Sequence, residues 1–164
     1  MVVRRAGPAD LVAFADVLRE VAEEGRWIAT EAPVDVPRRA EALGRLMEGG
    51  DVLLVVEAED GAVVGAGGLH RTAVAGVVGL GMALRASHRG RGAGRALLDA
   101  LVAHGRKARL HKIELEVFPE NARAIALYER AGFQVEGLRR AHLPRKDGSR
   151  RDVLLMALIL PVSQ

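Results

Sequence analysis

Arg89-Gly90-Arg91-Gly92-Ala93-Gly94 stands between a predicted strand, Val77 to Leu84, and a predicted helix, Arg91 to Arg106. Glycines at such a junction let the backbone come close to a ligand and leave N–H groups free at the helix N-terminus. Those N–H groups and the helix dipole favour an anion such as a pyrophosphate, and the arginines at positions 89, 91 and 95 add charged donors. A turn that binds nothing has the same local pattern, so the rest of the chain must decide.

Two phosphate-binding motifs do not fit residues 89–94, called the glycine segment below. The nucleoside-triphosphate loop requires a Gly-Lys pair, and the chain contains none. The dinucleotide fingerprint requires glycine or alanine at its sixth position, which is Arg95 when the motif is counted from Gly90. The strand before the segment also closes a run of hairpins instead of opening a β-α-β unit. Both of these nucleotide-binding classes are therefore excluded.

Hydrophobic periodicity around the glycine segment predicts alternating strands and helices. Ile113, Leu115 and Val117 alternate with glutamates, as in a half-buried strand, and Asp60-Gly61 has the composition of a hairpin turn. The predicted order is β-α-α-β-β-β-α-β-α-β-β, an α/β or α+β fold with a mixed, mostly antiparallel sheet of about seven strands flanked by about four helices. The predicted strands are residues 2–6, 52–58, 63–71, 77–84, 113–117, 133–139 and 153–160, and the predicted helices are 8–24, 36–48, 91–106 and 121–131.

Glycines inside two of the predicted strands predict local irregularities of the sheet. Gly65, Gly67 and Gly68 predict a bulge or a close approach of another part of the chain. Gly79 and Gly81, in the strand before the glycine segment, predict a bulge that separates this strand from the next and opens a cleft.

Composition limits the functional classes. The length of 164 residues suits a single domain over residues 1–164, and the absence of cysteine excludes disulfides, thiolate metal ligands and a cysteine nucleophile. The five histidines lack metal-ligand spacing, so no metal is expected. Aromatic residues make up only 3% and the net charge of +3 is dispersed, so no specific nucleic-acid partner is expected.

The cellular location is predicted from what the sequence does not contain. The late apolar run, Val153 to Leu160, is too short to span a bilayer. The first ten residues lack the apolar core of a signal peptide. A cytoplasmic protein without a membrane partner is therefore expected.

Two stretches follow the glycine segment in order. The first is Ile113-Glu114-Leu115-Glu116-Val117, and the second runs from Asn121 through Tyr128 to Gly132-Phe133. With Arg89, they resemble the R/Q-x-x-G-x-G/A signature and the asparagine–tyrosine spacing of the GNAT superfamily of N-acetyltransferases. Residues 80–159 are similar to ribosomal-protein alanine N-acetyltransferases, and residues 27–37 resemble the branch that acetylates amino acids and small amines. The resemblance implies a GNAT-like sheet splayed at strands 4 and 5, and acetyl-CoA as co-substrate.

The resemblance also implies catalytic residues. Tyr128, the only tyrosine, would protonate the leaving thiolate, although its apolar neighbours also suit a core aromatic. Glu116 would accept the proton of the amine, and its strand should place it beside apolar residues in the same cleft as Tyr128. Glu31 and His70 remain alternative bases, either of them acting through water.

The same resemblance assigns the coenzyme to three groups of residues. Backbone groups of the strand before the glycine segment would bind the pantetheine arm, and the glycine segment would bind the pyrophosphate. Asn121 would touch the pantetheine arm, and it also suits a helix N-cap. The expected coenzyme-binding residues are Met82, Ala83, Leu84, Arg89, Gly90, Arg91, Gly92, Ala93, Gly94 and Asn121.

The acceptor is not carried over from the family. Between the last two strands this chain has Ala141-His142-Leu143-Pro144 where the ribosomal-protein branch has aromatic residues. The expected acceptor is a primary amine of a small molecule, an amino acid or a peptide N-terminus, acetylated directly in a ternary complex. The alternatives are an acyl-CoA-binding sensor of the same fold and a basic nucleic-acid binder, and a homodimer remains open.

Overall fold

The computed structural model describes residues 1–161 and contains one seven-stranded sheet in the order β1-β2-β3-β4-β5-β7-β6. The element order and the mostly antiparallel sheet confirm the predicted fold class, since only the β4–β5 pair is parallel. The strands are β1 (Val2–Arg5), β2 (Val52–Glu57), β3 (Val63–Arg71), β4 (Val77–Leu84), β5 (Lys112–Val117), β6 (Gln134–Pro144) and β7 (Arg150–Ile159). The helices are α1 (Leu11–Glu23), α2 (Val36–Glu48), α3 (Ala93–Lys107) and α4 (Ala122–Arg130), with short 3-10 turns at Pro8–Asp10 and Ala86–His88.

Strand alternation divides the core between the two faces of the sheet. In β2, Leu53 and Val55 face the cluster that contains α1 and α2, whereas Leu54 and Val56 face the cluster that contains α3. Because successive side chains of a strand point to opposite faces, one apolar strand contributes to both clusters. This arrangement explains why β2 is a continuous apolar run.

The glycines of β3 confirm the predicted close approach. A Cβ at Gly65 would lie 2.4 Å from Cδ2 of Leu84, and a Cβ at Gly68 would lie 2.8 Å from the carbonyl oxygen of Val52. Neither position therefore has room for a side chain.

The bulge predicted at Gly79 and Gly81 was wrong, although the splay itself is present. The β3–β4 register is continuous from Gly65–Leu84 to Arg71–Val78. The parallel β4–β5 pairing covers only Val77–Gly79 and Lys112–Glu114. Gly79 instead makes room for His70, whose Nε2 would lie 2.1 Å from a Cβ there. The strands separate because β4 stays with β3 while β5 stays with β7.

Two element boundaries differ from the sequence prediction. Helix α3 begins at Ala93 and not at Arg91, because Gly92 is left-handed (φ +86°) and caps the helix. Ala141 to Pro144 belong to β6 instead of a loop, with a register irregularity between Arg139 and Leu143. In the described part of the chain, no helix combines the length and apolarity needed to cross a membrane.

Candidate active site

The separation of β4 from β5 opens a cleft of about 590 Å³. Its walls come from β4, the glycine segment, α4, the end of β5 and the segment after α1. The lining residues are Val21, Trp27, Ile28, Ala29, Leu80, Gly81, Met82, Ala83, Leu84, Arg89, Gly90, Gly92, Gly94, Arg95, Glu116, Val117, Phe118, Asn121, Arg123, Ala124, Leu127, Tyr128, Arg130, Leu143 and Val153.

The backbone of the glycine segment borders one end of this cleft. Gly90 (φ +78°) and Gly92 (φ +86°) adopt the left-handed conformation that glycine tolerates best. Gly94 packs closely, since a Cβ there would lie 3.1 Å from Cδ1 of Leu84 and 3.4 Å from Cδ2 of Leu127. The N–H groups of the first turn of α3 have no intrahelical partner, and groups of this kind favour anions.

The arginines in and next to the glycine segment already form hydrogen bonds to other protein groups. Arg89 donates through Nη1 to Oε2 of Glu24 (2.7 Å) and through Nη2 to the carbonyl oxygen of Leu84 (2.8 Å). Arg95 bonds to Asp99 through Nε at 2.8 Å. Of the predicted coenzyme-binding residues, Arg91 is exposed and Ala93 is buried, and neither lines the cleft.

Arg123 is a cleft residue that sequence reasoning missed. Its Nη2 would lie 2.4 Å from a Cβ at Gly90, so the guanidinium occupies the space that this glycine leaves. No sequence signal distinguishes Arg123 from a surface arginine, because the contact joins α4 to a loop 33 positions earlier. Arg123 brings positive charge from α4 to the glycine segment, and Arg130 also lines the cleft.

The free edge of β4 forms the central wall. Met82, Ala83 and Leu84 line the cleft, and beyond Gly79 their strand has no pairing to β5. Their backbone groups on that side are open to an extended ligand that adds to the sheet as a strand would. One group is already used, because the Leu84 carbonyl accepts from Arg89.

Asn121 caps α4, as its sequence position suggests. Its Oδ1 accepts a hydrogen bond from the backbone N–H of Ala124 at 3.2 Å. The residue also lines the cleft, and within residues 1–161 its amide NH₂ donates to no protein group. Asn121 can therefore cap the helix and still contact a ligand.

Among the titratable residues that line the cleft within residues 1–161, Tyr128 alone is buried. It is 8% exposed, and its ring lies 5.8 Å from that of Phe133, so it is both a core aromatic and a cleft residue. Burial raises the pKa of the Tyr128 hydroxyl to about 12, because the charged phenolate is poorly solvated there. The hydroxyl therefore keeps its proton at neutral pH and can donate it towards a developing anion.

Glu116 lines the same cleft but is not buried as expected. Its side chain is 51% exposed, and Arg139 Nη1 donates to its Oε1 at 2.6 Å. The expectation failed because β7 alone separates β5 from β6, which brings Arg139 within reach of β5. The alternating sequence pattern correctly predicted the strand face on which Glu116 lies, but the burial expected of its side chain was wrong.

The two alternative bases lie outside the cleft lining. Glu31 accepts from the backbone N–H of Lys146 at 3.1 Å and lies 3.4 Å from the guanidinium of Arg145. His70 is exposed on β3 over Gly79. Of the three carboxylate or imidazole groups proposed from sequence, only Glu116 shares the cleft with Tyr128.

A second part of the lining, called the apolar half, consists of apolar and aromatic side chains. Its walls are Val21, Trp27, Ile28, Phe118, Leu143 and Val153. Arg145 and Arg151 lie against the Phe118 ring, at 5.8 and 3.4 Å from its centroid. Both guanidiniums are engaged, because Arg145 donates to the Ala29 carbonyl (2.8 Å) and Arg151 to the Arg26 carbonyl (3.2 Å).

Comparison with known proteins identifies this architecture. The model of the Acetyltransferase (GNAT) family matches residues 15–133, and the chain belongs to that family. The sequence is 46% identical over 72 residues to an Escherichia coli enzyme named ribosomal protein bS18 alanine N-acetyltransferase. That match covers 44% of this chain and 47% of the relative, or about half of each.

Two further comparisons extend over nearly the whole chain. A Pseudomonas paraeruginosa enzyme named L-methionine sulfoximine/L-methionine sulfone acetyltransferase is 28% identical over 162 residues, 96% of this chain and 94% of that one. A Sinorhizobium meliloti phosphinothricin acetyltransferase, solved with acetyl-CoA, superposes with a TM-score of 0.87 at 27% identity, covering 97% of this chain and 88% of that one. Both of these relatives are named acetyltransferases, and the second was solved with acetyl-CoA.

No cluster of metal-ligating side chains occurs within residues 1–161. The cleft lining offers Tyr128, Glu116 and the arginines of α3 and α4 as polar side chains.

Proposed function

We propose that the protein transfers an acetyl group from acetyl-CoA directly to a primary amine while both substrates occupy the cleft. The observation that carries this proposal is one cleft lined by the glycine segment at the start of α3, a protonated tyrosine and a carboxylate. A covalent acetyl-cysteine intermediate is excluded because the chain has no cysteine.

The coenzyme is assigned to the end that carries the glycine segment. Its pyrophosphate would accept from the N–H groups at the start of α3, with Arg123 beside Gly90. Its pantetheine arm would lie along Met82 to Leu84, with Asn121 on the other side. This direction brings the thioester to Tyr128 and leaves the apolar half for the amine.

In the proposed reaction a C–N bond forms and the C–S bond breaks. The ammonium form of the amine first gives one proton to Glu116, directly or through water, and that proton passes to solvent. The neutral nitrogen attacks the thioester carbonyl. Tyr128 donates its proton to the leaving sulfur and regains one, through solvent, from the acylated nitrogen. The products are the amide and free coenzyme A.

The apolar half supports an acceptor class. Its walls are hydrocarbon and aromatic, and the arginines that line the cleft lie in or next to the glycine segment or on α4. Arg145 and Arg151 are held by backbone carbonyls. Arg26 is a further cation beside the apolar half, but its guanidinium is stacked on the outer part of the wall, on the Trp27 ring. A carboxylate beside the reacting amine would therefore lose water with little charge to offset the loss, which is costly. We infer an amine with an apolar substituent and no neighbouring carboxylate.

Matched amines test this function and its acceptor class together. We expect coenzyme A thiol release with leucinamide to show a kcat/KM at least about tenfold above that with leucine, a difference of roughly 1.4 kcal/mol in transition-state binding. The assay measures free thiol with each amine at saturating acetyl-CoA, with amine-free enzyme as the control. Equal values would contradict the acceptor class. Thermal stabilisation by coenzyme A without thiol release from any amine would instead indicate a sensor.

The assignment of the base is tested by pH. Glu116→Gln should lower the rate most at acidic pH, where the amine is protonated, and should recover in part at alkaline pH as free amine becomes abundant. The measurement is the pH–rate profile with leucinamide. Glu31→Gln and His70→Gln are matched controls outside the cleft lining, and both should follow the wild-type profile. Loss of the acidic limb in a control alone would reassign the base.

A further inference from the structure

Glu24, the residue that follows α1, joins two walls of the cleft. Its Oε2 accepts from Nη1 of Arg89 at 2.7 Å and from Nε1 of Trp27 at 2.8 Å. Its Oε1 accepts from Nη2 of Arg89, so the guanidinium is bound by both carboxylate oxygens. Arg89 begins the glycine segment, and Trp27 lines the apolar half. One carboxylate therefore links the glycine segment to the apolar half.

The chain around Trp27 is tied to the rest of the molecule at several points. The backbone carbonyls of residues 26, 29 and 32 accept hydrogen bonds from Arg151, Arg145 and Lys146, respectively. Arg145 and Lys146 follow β6, and Arg151 lies in β7. Arg26 also stacks on the Trp27 ring at 4.4 Å from the centroid. These bonds fix the backbone, whereas the indole N–H has Glu24 as its partner. The Trp27 ring also packs against the core cluster that contains α1 and α2, and Glu24 adds the one hydrogen bond recorded for its N–H.

The carboxylate is well placed to transmit a change at the glycine segment. The paired Arg89 guanidinium lowers the pKa of the Glu24 carboxyl, which stays ionised at neutral pH. Arg89 is additionally fixed by the Leu84 carbonyl, at the end of the strand assigned to the pantetheine arm. A ligand that orders residues 84–94 would therefore also order Glu24 and, through it, the indole.

We propose that Glu24 is a positioning residue that couples coenzyme binding at the glycine segment to the Trp27 wall of the acceptor site. This inference rests on the proposed placement of the coenzyme. Bound acetyl-CoA stabilises the arrangement in which Glu24 bonds to both Arg89 and Trp27 over arrangements that lack these bonds, and this keeps the indole in the wall of the apolar half. The coupling is reciprocal, so an acceptor amine bound against Trp27 also favours coenzyme binding.

Trp27 is the only tryptophan, so its fluorescence reports this coupling without turnover. Coenzyme A should change the Trp27 emission of the wild type. In Glu24→Ala the same saturating coenzyme A should leave the emission unchanged. The matched control is Glu23→Ala, whose carboxylate pairs with Arg19 and contacts neither wall, and it should respond as the wild type does.

Kinetics give the second readout. At saturating acetyl-CoA, Glu24→Ala should raise the KM for the amine about tenfold, within the usual range of site-to-site coupling, with little change in kcat. Adding Trp27→Phe to Glu24→Ala should raise KM no further than Trp27→Phe alone, because both changes break the same link. Melting temperatures close to wild type verify folding.

The outcomes separate this inference from the proposed function. The coupling is overturned if bound coenzyme A leaves the Trp27 fluorescence of the wild type unchanged. It is also overturned if the fluorescence of Glu24→Ala responds as that of the wild type does. Additive KM effects in the double variant also overturn it. If no amine is acetylated, the emission experiment still decides the role of Glu24, and the proposed function fails separately.

Discussion

Tyr128→Phe is expected to lower kcat by roughly ten- to a thousand-fold, the usual worth of a positioned general acid. The substitution keeps the ring contact with Phe133 and removes only the hydroxyl proton. Coenzyme A binding, measured by thermal shift, should change little, because the backbone end of the cleft remains intact. The measurement is thiol release under saturating acetyl-CoA and amine.

The matched control for Tyr128 is Phe133→Leu, which disturbs the ring contact but leaves the hydroxyl. It should cost stability and affect kcat much less than Tyr128→Phe. Because the pKa of Tyr128 is about 12, its ionisation should not produce an alkaline limb in the wild-type rate below about pH 10. Unchanged turnover in Tyr128→Phe would return this residue to a purely structural role.

A Gly92→Val, Gly94→Val double variant should abolish the thermal stabilisation by coenzyme A. For the wild type, coenzyme at a hundred times its Kd should contribute about 2.7 kcal/mol of stability. Valine at position 94 would project against Leu84 and Leu127 on the cleft wall, and valine at position 92 would strain the left-handed N-cap of α3. The measurement is the melting temperature with and without coenzyme A.

The single variant Gly94→Val tests whether the thermal shift is lost because the site is blocked or because the fold is damaged. Gly94 has no positive φ, so Gly94→Val alone should lose most of the shift while remaining folded. Gly137→Val on β6 is the matched control, since a Cβ there meets nothing within 4 Å and the residue lies outside the cleft lining. If the double variant keeps the wild-type shift, the pyrophosphate binds elsewhere.

The order of elements could be predicted from sequence because its signals are local. The strand β5 was predicted from the alternation of Ile113, Leu115 and Val117, and the end of α4 from Gly132. Both signals involve residues that are close in sequence. The same holds for the N-cap at Asn121, which bonds three residues along the chain. The glycine segment and Tyr128 were also found this way, with the resemblance to a family supplying their roles.

The environment of each site residue could not be predicted, because it depends on distant parts of the chain. Glu116 was placed on the correct strand face, yet its exposure and its bond to Arg139 arise from strand order. Arg123 reaches Gly90 because α4 packs beside the start of α3. Neither contact corresponds to a periodicity or a composition that could be recognised in the sequence.

Sequence by itself determined the strands, the helices and the residue types available for chemistry, since these follow from periodicity and backbone conformation within short windows. Only the tertiary structure decided that β4 and β5 separate after Gly79, and that Glu24 meets Arg89 across 65 positions of sequence. Such contacts form when whole elements pack against one another. Their energies depend on burial and charge in three dimensions, which no local pattern encodes.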